Sequence, residues 1–163
     1  MGDLGRHLQV VEGYLELGML GAAGDAIEEI EEESQSLPVA FFSLRYSIYS
    51  ALGRWNLAEA AARQLVLSTP TVPEFWVNWA HAARRSLKIE DARRILLEAE
   101  RHHPQYGTIQ FNLGCYSCVL GDNDEAKRQV SAAISLDSQF RALALDDQDL
   151  QPLWDEIAKG QNA

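Results

Sequence analysis

Cysteine is scarce in this chain: Cys115 and Cys118 are the only two in 163 residues. Two thiols three positions apart cannot build a disulfide framework, so a reducing compartment, the cytoplasm by default, is expected. Basic residues are also few, 14 Lys and Arg against 24 Asp and Glu, for a net charge of −10. Phosphate backbones require a basic footprint, so nucleic acid is excluded as a general partner, and acidic membrane surfaces are disfavoured likewise. Apolar runs stay well short of the roughly 20 residues that span a bilayer. The opening MGDLGRHLQVVEGYLELG lacks the basic region and unbroken apolar core of a secretory leader. Disorder is excluded from the other direction, because 47% hydrophobic residues suffice for one core of ordinary size.

What the chain does have is a period. Ala58, Ala92 and Ala126 stand 34 residues apart, as do Pro70 and Pro104. An earlier unit runs one residue out of step, with Tyr14, Gly18 and Ala23 each 35 before Tyr49, Gly53 and Ala58. The clearest unit is Pro73 to Tyr106. There Trp76, Trp79, Ala80 and Ala83 follow W-x-x-L-G-x-x-Y, Ala92 and Leu96 follow A-x-x-x-F, and Pro104 closes the unit. These residues resemble a tetratricopeptide repeat (TPR), a family that the spacing covers from about Leu4 to Phe140. Arg45 in a Leu slot, Gln110 in the Trp slot, Leu87 for the turn glycine and Ser138 for the closing proline depart from the pattern without removing its helical period.

The resemblance implies an all-α fold, a right-handed α-α superhelix of about four helical hairpins at 4–38, 39–72, 73–106 and 107–140. All belong to one domain spanning 1–163. Helix starts are expected where Thr71, Asn56 and Asp122 precede an acid by three, as in a capping box. Gly53 and Gly121 mark turns. In the first unit Ile27 and Ile30 supply a buried stripe, with the Glu run IEEIEEESQSLP on the solvated face. Beyond the repeats, Leu150, Leu153, Trp154 and Ile157 predict a terminal helix from about Leu150 to Lys159, a cap over the last hairpin within 141–159. The tail LALDDQDLQPLW resembles that of small bacterial stand-alone TPR proteins, which implies a complete bacterial protein.

TPR arrays bind protein segments in a groove lined by their first helices, so the resemblance implies a binding role without catalysis. One-period rows place Ser43 with Val77 and Phe111, Leu44 with Asn78 and Asn112, Ser47 with His81 and Cys115, and Ser50 with Arg84 and Cys118. The expected partner-binding set is Ser43, Ser47, Asn78, His81, Arg84, Arg85, Phe111, Asn112, Cys115 and Cys118. Asn78, His81 and Arg85 share one helical face, beside Arg84, where Asn can bond a partner's backbone and Arg a carboxylate. Charge singles out the same unit. Residues 1–38 carry nine acids and one base, 107–163 nine acids and four bases, whereas 73–106 carry six bases against five acids. The clamp by which some TPR proteins hold an acidic C-terminus is not expected, because its basic slots hold Leu8, Ser43, Glu74 and Thr108.

Two alternatives accompany the scaffold expectation: a small acidic secretion-type chaperone, and a thiol or metal protein built on Cys115-Tyr116-Ser117-Cys118. That C-x-x-C lies inside a helix, away from the free amides that lower a thiol pKa, and zinc would need His81 plus a fourth ligand that is not evident. No cofactor or metal is therefore assigned. His7, His102 and His103 form no motif, Trp76 and Trp79 are expected in the core, and Trp55 and Trp154 suggest no site. A monomer is expected, with a weak dimer open.

Overall fold

The computed structural model describes residues 3–30 and 37–160. Among them are ten α-helices, one 3-10 helix and no strand, the all-α class expected. The helices are α1 (Asp3–Glu16), α2 (Leu20–Glu28), α3 (Val39–Ala51), α4 (Trp55–Ser68), α5 (Pro73–Ser86), α6 (Ile89–His102), α7 (Gly107–Val119), α8 (Asn123–Leu136), α9 (Gln139–Asp146) and α10 (Trp154–Lys159). The 3-10 helix, Gln148–Leu153, lies between the last two. The chain forms two compact units, Met1–Ser86 and Leu87–Ala163.

In the first unit α1 packs on α2, α3 on α4 and α4 on α5. Its core holds Val11, Ala23, Ile27, Phe41, Ile48, Tyr49 and Ala58, with the expected Ile27 and Ile30 both buried. Residues 31–36 of the Glu run lie outside the described residues. The predicted turn glycines take left-handed backbone, φ 69° at Gly53 and 83° at Gly121, and Gly18 between α1 and α2 does the same at 70°. The Arg54 amide donates to Tyr49 O at 2.8 Å, closing the carbonyl end of α3 as a Schellman turn does. Leu87 replaces such a glycine, and no non-glycine among the described residues takes positive φ, so that turn is made without the left-handed step.

The second unit packs α6 on α7 and α7 on α8. Ala92 and Ala126 are fully buried, like Ala58 in the first unit, so all three alanines of the 34-residue period lie in the core. Asp122 caps α8 as expected, accepting from the Glu125 amide at 3.3 Å. Asn56 does not cap: α4 begins one residue earlier, at Trp55, which puts Asn56 inside the first turn. The terminal segment also differs from the single helix expected after Leu150. It is α9, the 3-10 helix and α10 in succession. Pro152 accounts for the break, since it lacks an amide and disfavours α geometry at Gln151. Asp147 starts the 3-10 helix by accepting from the Asp149 amide at 2.9 Å.

Candidate partner-binding face

The candidate face of the first unit is built on α5. Pro73 at its start needs no amide partner, Glu74 complements the amino end, and Arg84 and Arg85 complement the carboxyl end. Trp76 is buried and donates its indole N–H to Pro70 O at 2.9 Å. Half-buried Trp79 donates to Glu59 Oε1 of α4 at 2.6 Å. The two indoles anchor the helix through one side and leave Asn78, His81, Arg84 and Arg85 for the other. Asn78, His81 and Arg84 are half-buried, and Arg85 is exposed.

A residue absent from the expected set organises this face. Trp55, the first residue of α4, meets the His81 ring edge-on at 5.4 Å and 85°, while the Arg85 guanidinium lies 4.9 Å from the centre of its ring. The indole is thus a platform on which an imidazole and a guanidinium converge, the latter in cation–π geometry. Arg54 beside it pairs with Glu28 at 2.5 Å. Burial lowers the His81 pKa below its ordinary 6.5, and the positive charges of Arg85 and then Arg84 lower it further. At neutral pH the ring is uncharged and can donate one hydrogen bond and accept another. Of the remaining first-unit residues, Ser43 is half-buried and Ser47 exposed, a turn apart on α3.

The second-unit candidates lie on α7, and three of them are covered. Phe111 stacks on Phe140 of α9 at 5.4 Å and 29°. Cys115 is 2% exposed, its Sγ 3.6 Å from Asp147 Oδ2. Cys118 is 5% exposed, its Sγ 3.6 Å from Asn123 Oδ1. The 3-10 helix packs against α7, with Leu150 and Leu153 completely or almost completely buried. The expectation that Phe111, Cys115 and Cys118 line an open groove is therefore corrected: the chain's own C-terminal segment occupies that side of α7. Asn112 is half-buried. Burial and the Asp149 carboxylate raise the Cys118 pKa, keeping it a thiol and a poor nucleophile or metal ligand. No three His, Cys, Asp or Glu among the described residues gather as metal ligands would, and no helix among them is long and apolar enough to cross a membrane.

Trp55 falls outside the one-period rows, which run through the first helices of the repeats, because it opens a second one. Phe140 could have been found: it stands 34 after Tyr106, so the aromatic that starts one unit recurs where the repeat was read as ending.

Comparison with solved structures gives the class. A structure of MamA superposes with a TM-score of 0.76 at 18% identity, covering 94% of this chain and 85% of that one. YrrB, described as a TPR protein with an unusual peptide-binding site, gives 0.70 at 14% identity over 81% of this chain and 68% of that one. The TPR2B domain of yeast Sti1, in complex with pHsp70, gives 0.60 at 14% over 75% and 97%. The fold is that of TPR proteins, as the repeat spacing implied. No protein-family model and no curated protein matches the sequence.

Proposed function

We propose that this chain is a protein-binding scaffold that holds a peptide segment of a partner against α5, through Asn78, His81, Arg84 and Arg85 on the Trp55 platform. The observation that carries this is the convergence of His81 and Arg85 on one indole. Arg85 is exposed yet held over the ring, so its donors are aimed before a ligand arrives and less side-chain entropy is lost on binding. A peptide-binding site in YrrB and the pHsp70 complex of Sti1 TPR2B support a role of this kind for the shared fold. The net charge of −10 favours a protein over nucleic acid or an acidic membrane surface, and a cytoplasmic monomer suits it.

Affinity capture from native lysate, with the intact chain beside an R84A/R85A variant of equal helicity, tests the face. A partner retained by the intact chain and lost from the variant is expected. Equal capture by both would remove α5 from the proposal.

A further inference from the structure

The hairpin of α3 and α4 holds a cavity of about 530 Å³ that shares no lining residue with the α5 face. Among the described residues it is lined by Phe42, Arg45 and Tyr49 of α3 and by Leu57, Ala60, Ala61 and Gln64 of α4. Small-molecule sites occupy roughly 300–1,000 Å³, so a compact organic ligand fits this space.

The repeat period explains why the space is open. Ala60 and Ala61 stand 34 residues before Arg94 and Ile95, and Arg128 and Gln129 follow those two by 34 again. In the hairpin of α7 and α8, Gln129 is fully buried and its Oε1 accepts from Ser117 Oγ at 2.8 Å. The residues that match this pair by period are Ala61 and Tyr49, each 4% exposed. Ala61 ends at Cβ, so the volume that a glutamine side chain fills beside α7 is left open beside α3.

The lining defines the ligand. Phe42 and Tyr49 supply two aromatic rings, while Leu57, Ala60 and Ala61 complete an apolar wall. Leu57 is 44% exposed, a large apolar side chain at the cavity instead of in the core. Arg45, which stands in a Leu slot of the repeat, is the one charged residue among the described residues of the lining. Its guanidinium is half-buried and lies 4.6 Å from the centre of the Phe41 ring, in cation–π contact. A guanidinium has five N–H donors in its plane, enough to serve a carboxylate with two of them beside other contacts, and partial burial strengthens such bonds.

We propose that this cavity binds an aromatic carboxylate, its ring against Phe42 and Tyr49 and its carboxylate on Arg45. The site is additional to the partner-binding face and does not depend on it.

Phenylacetate is the probe, and phenylacetamide, with the same ring and no charge, is its control. Both are titrated into the full chain and followed by NMR of the Leu and Ala methyl groups. The acid is expected to bind about tenfold more tightly than the amide and to shift the methyl signals of Leu57, Ala60 and Ala61. R45M should bring the two compounds within about twofold of each other, whereas R63M, which removes an exposed arginine of α4 and the same charge, should leave the acid within about twofold of its parent affinity. A61Q places in the cavity the side chain that α8 carries at the matching position, and should weaken both compounds about tenfold or more at parent helicity. A60M, at an exposed position, narrows the same space without entering the core and should weaken both as well. Equal affinity for acid and amide in the intact chain overturns the proposal, as does failure of the acid to bind. A loss in R63M equal to that in R45M would reduce the effect to net charge and overturn it too. Binding that A60M leaves intact, or that moves none of the three methyl groups, removes the ligand from this cavity.

Discussion

Replacing Gly114 with Ala tests the packing that holds α7 against α8. A Cβ built at Gly114 would stand 2.6 Å from Val130 Cγ2 and 3.3 Å from both Ala126 O and Val130 N. Two effects oppose each other. Alanine is favoured over glycine in a helix interior by about 1 kcal/mol, whereas overpacking a filled core costs about 1–3 kcal/mol. Escape is restricted. Val130 is 1% exposed and β-branched, so one χ1 rotamer dominates, and the two backbone atoms can retreat only if α8 shifts. The steric cost should win, for a net loss of about 1–2 kcal/mol.

Val130→Ala supplies the control. Alone it removes two buried methyl groups and should cost about 1.5–3 kcal/mol. In the double variant the new methyl of residue 114 enters the space that Cγ2 has left, so the double should cost about 1–2 kcal/mol less than the sum of the singles. Urea unfolding followed by circular dichroism gives these differences, with equal m-values as the check that the same surface is exposed throughout. A G114A chain as stable as the parent, or singles that add within about 0.5 kcal/mol, would refute the close approach of α7 and α8.

Three further outcomes are expected. Ser117 and Gln129 are fully buried and bonded at 2.8 Å, with Arg93 Nε donating to Ser117 Oγ at 3.1 Å and Gln129 Nε2 to Glu125 Oε1 at 3.0 Å; Q129L should lose about 1–3 kcal/mol, and an unchanged urea midpoint would deny the network. His81, titrated by NMR, should ionise below 6.5 and move upward in R84A/R85A while staying below 6.5, because burial persists. The unfolded chain takes that proton first, so the His81 share of stability is full above pH 6.5 and is lost as pH falls through the folded value; a midpoint unmoved by the double substitution would reject the Arg contribution. Phe140→Ala removes a half-buried stacked ring at a cost of about 1.5–3 kcal/mol, so Cys115 and Cys118 should react with a thiol reagent about tenfold faster or more; parent-like rates would mean that α9 does not guard them.

Much of this fold was legible because its information is periodic. An alanine every 34 residues has one packing reason, and three of them in register define paired helices more securely than any local propensity. The Asp122 cap and the left-handed glycines were likewise readable from single residues with a single physical use. The Trp55 platform was not, since its partners His81 and Arg85 lie on another helix and no spacing rule joins them to it. The terminal path was half legible: the burial of Leu150 and Leu153 follows from their helical spacing, but Pro152 decides the backbone locally, which that spacing does not register.

α5 and α7 fall in the same one-period rows, yet their compositions make them unlike. GTIQFNLGCYSCV contains no charged residue, and eight of the thirteen residues of α7 are buried. A helix without a polar face requires cover on more than one side. α8 and α6 supply part of that cover, and α9 with the 3-10 helix supplies the rest. PEFWVNWAHAARRS divides differently. Its buried residues are Trp76, Ala80, Ala82 and Ala83, and the remainder of its surface offers an amide, an imidazole and two guanidinium groups. Trp55 of α4 covers part of that surface by packing against His81 and Arg85, and Arg85 keeps its exposure to water. The two helices therefore share a place in the repeat but differ in composition: α7 is apolar and the chain's own terminal segment packs on it, whereas α5 carries an amide, an imidazole and two guanidinium groups.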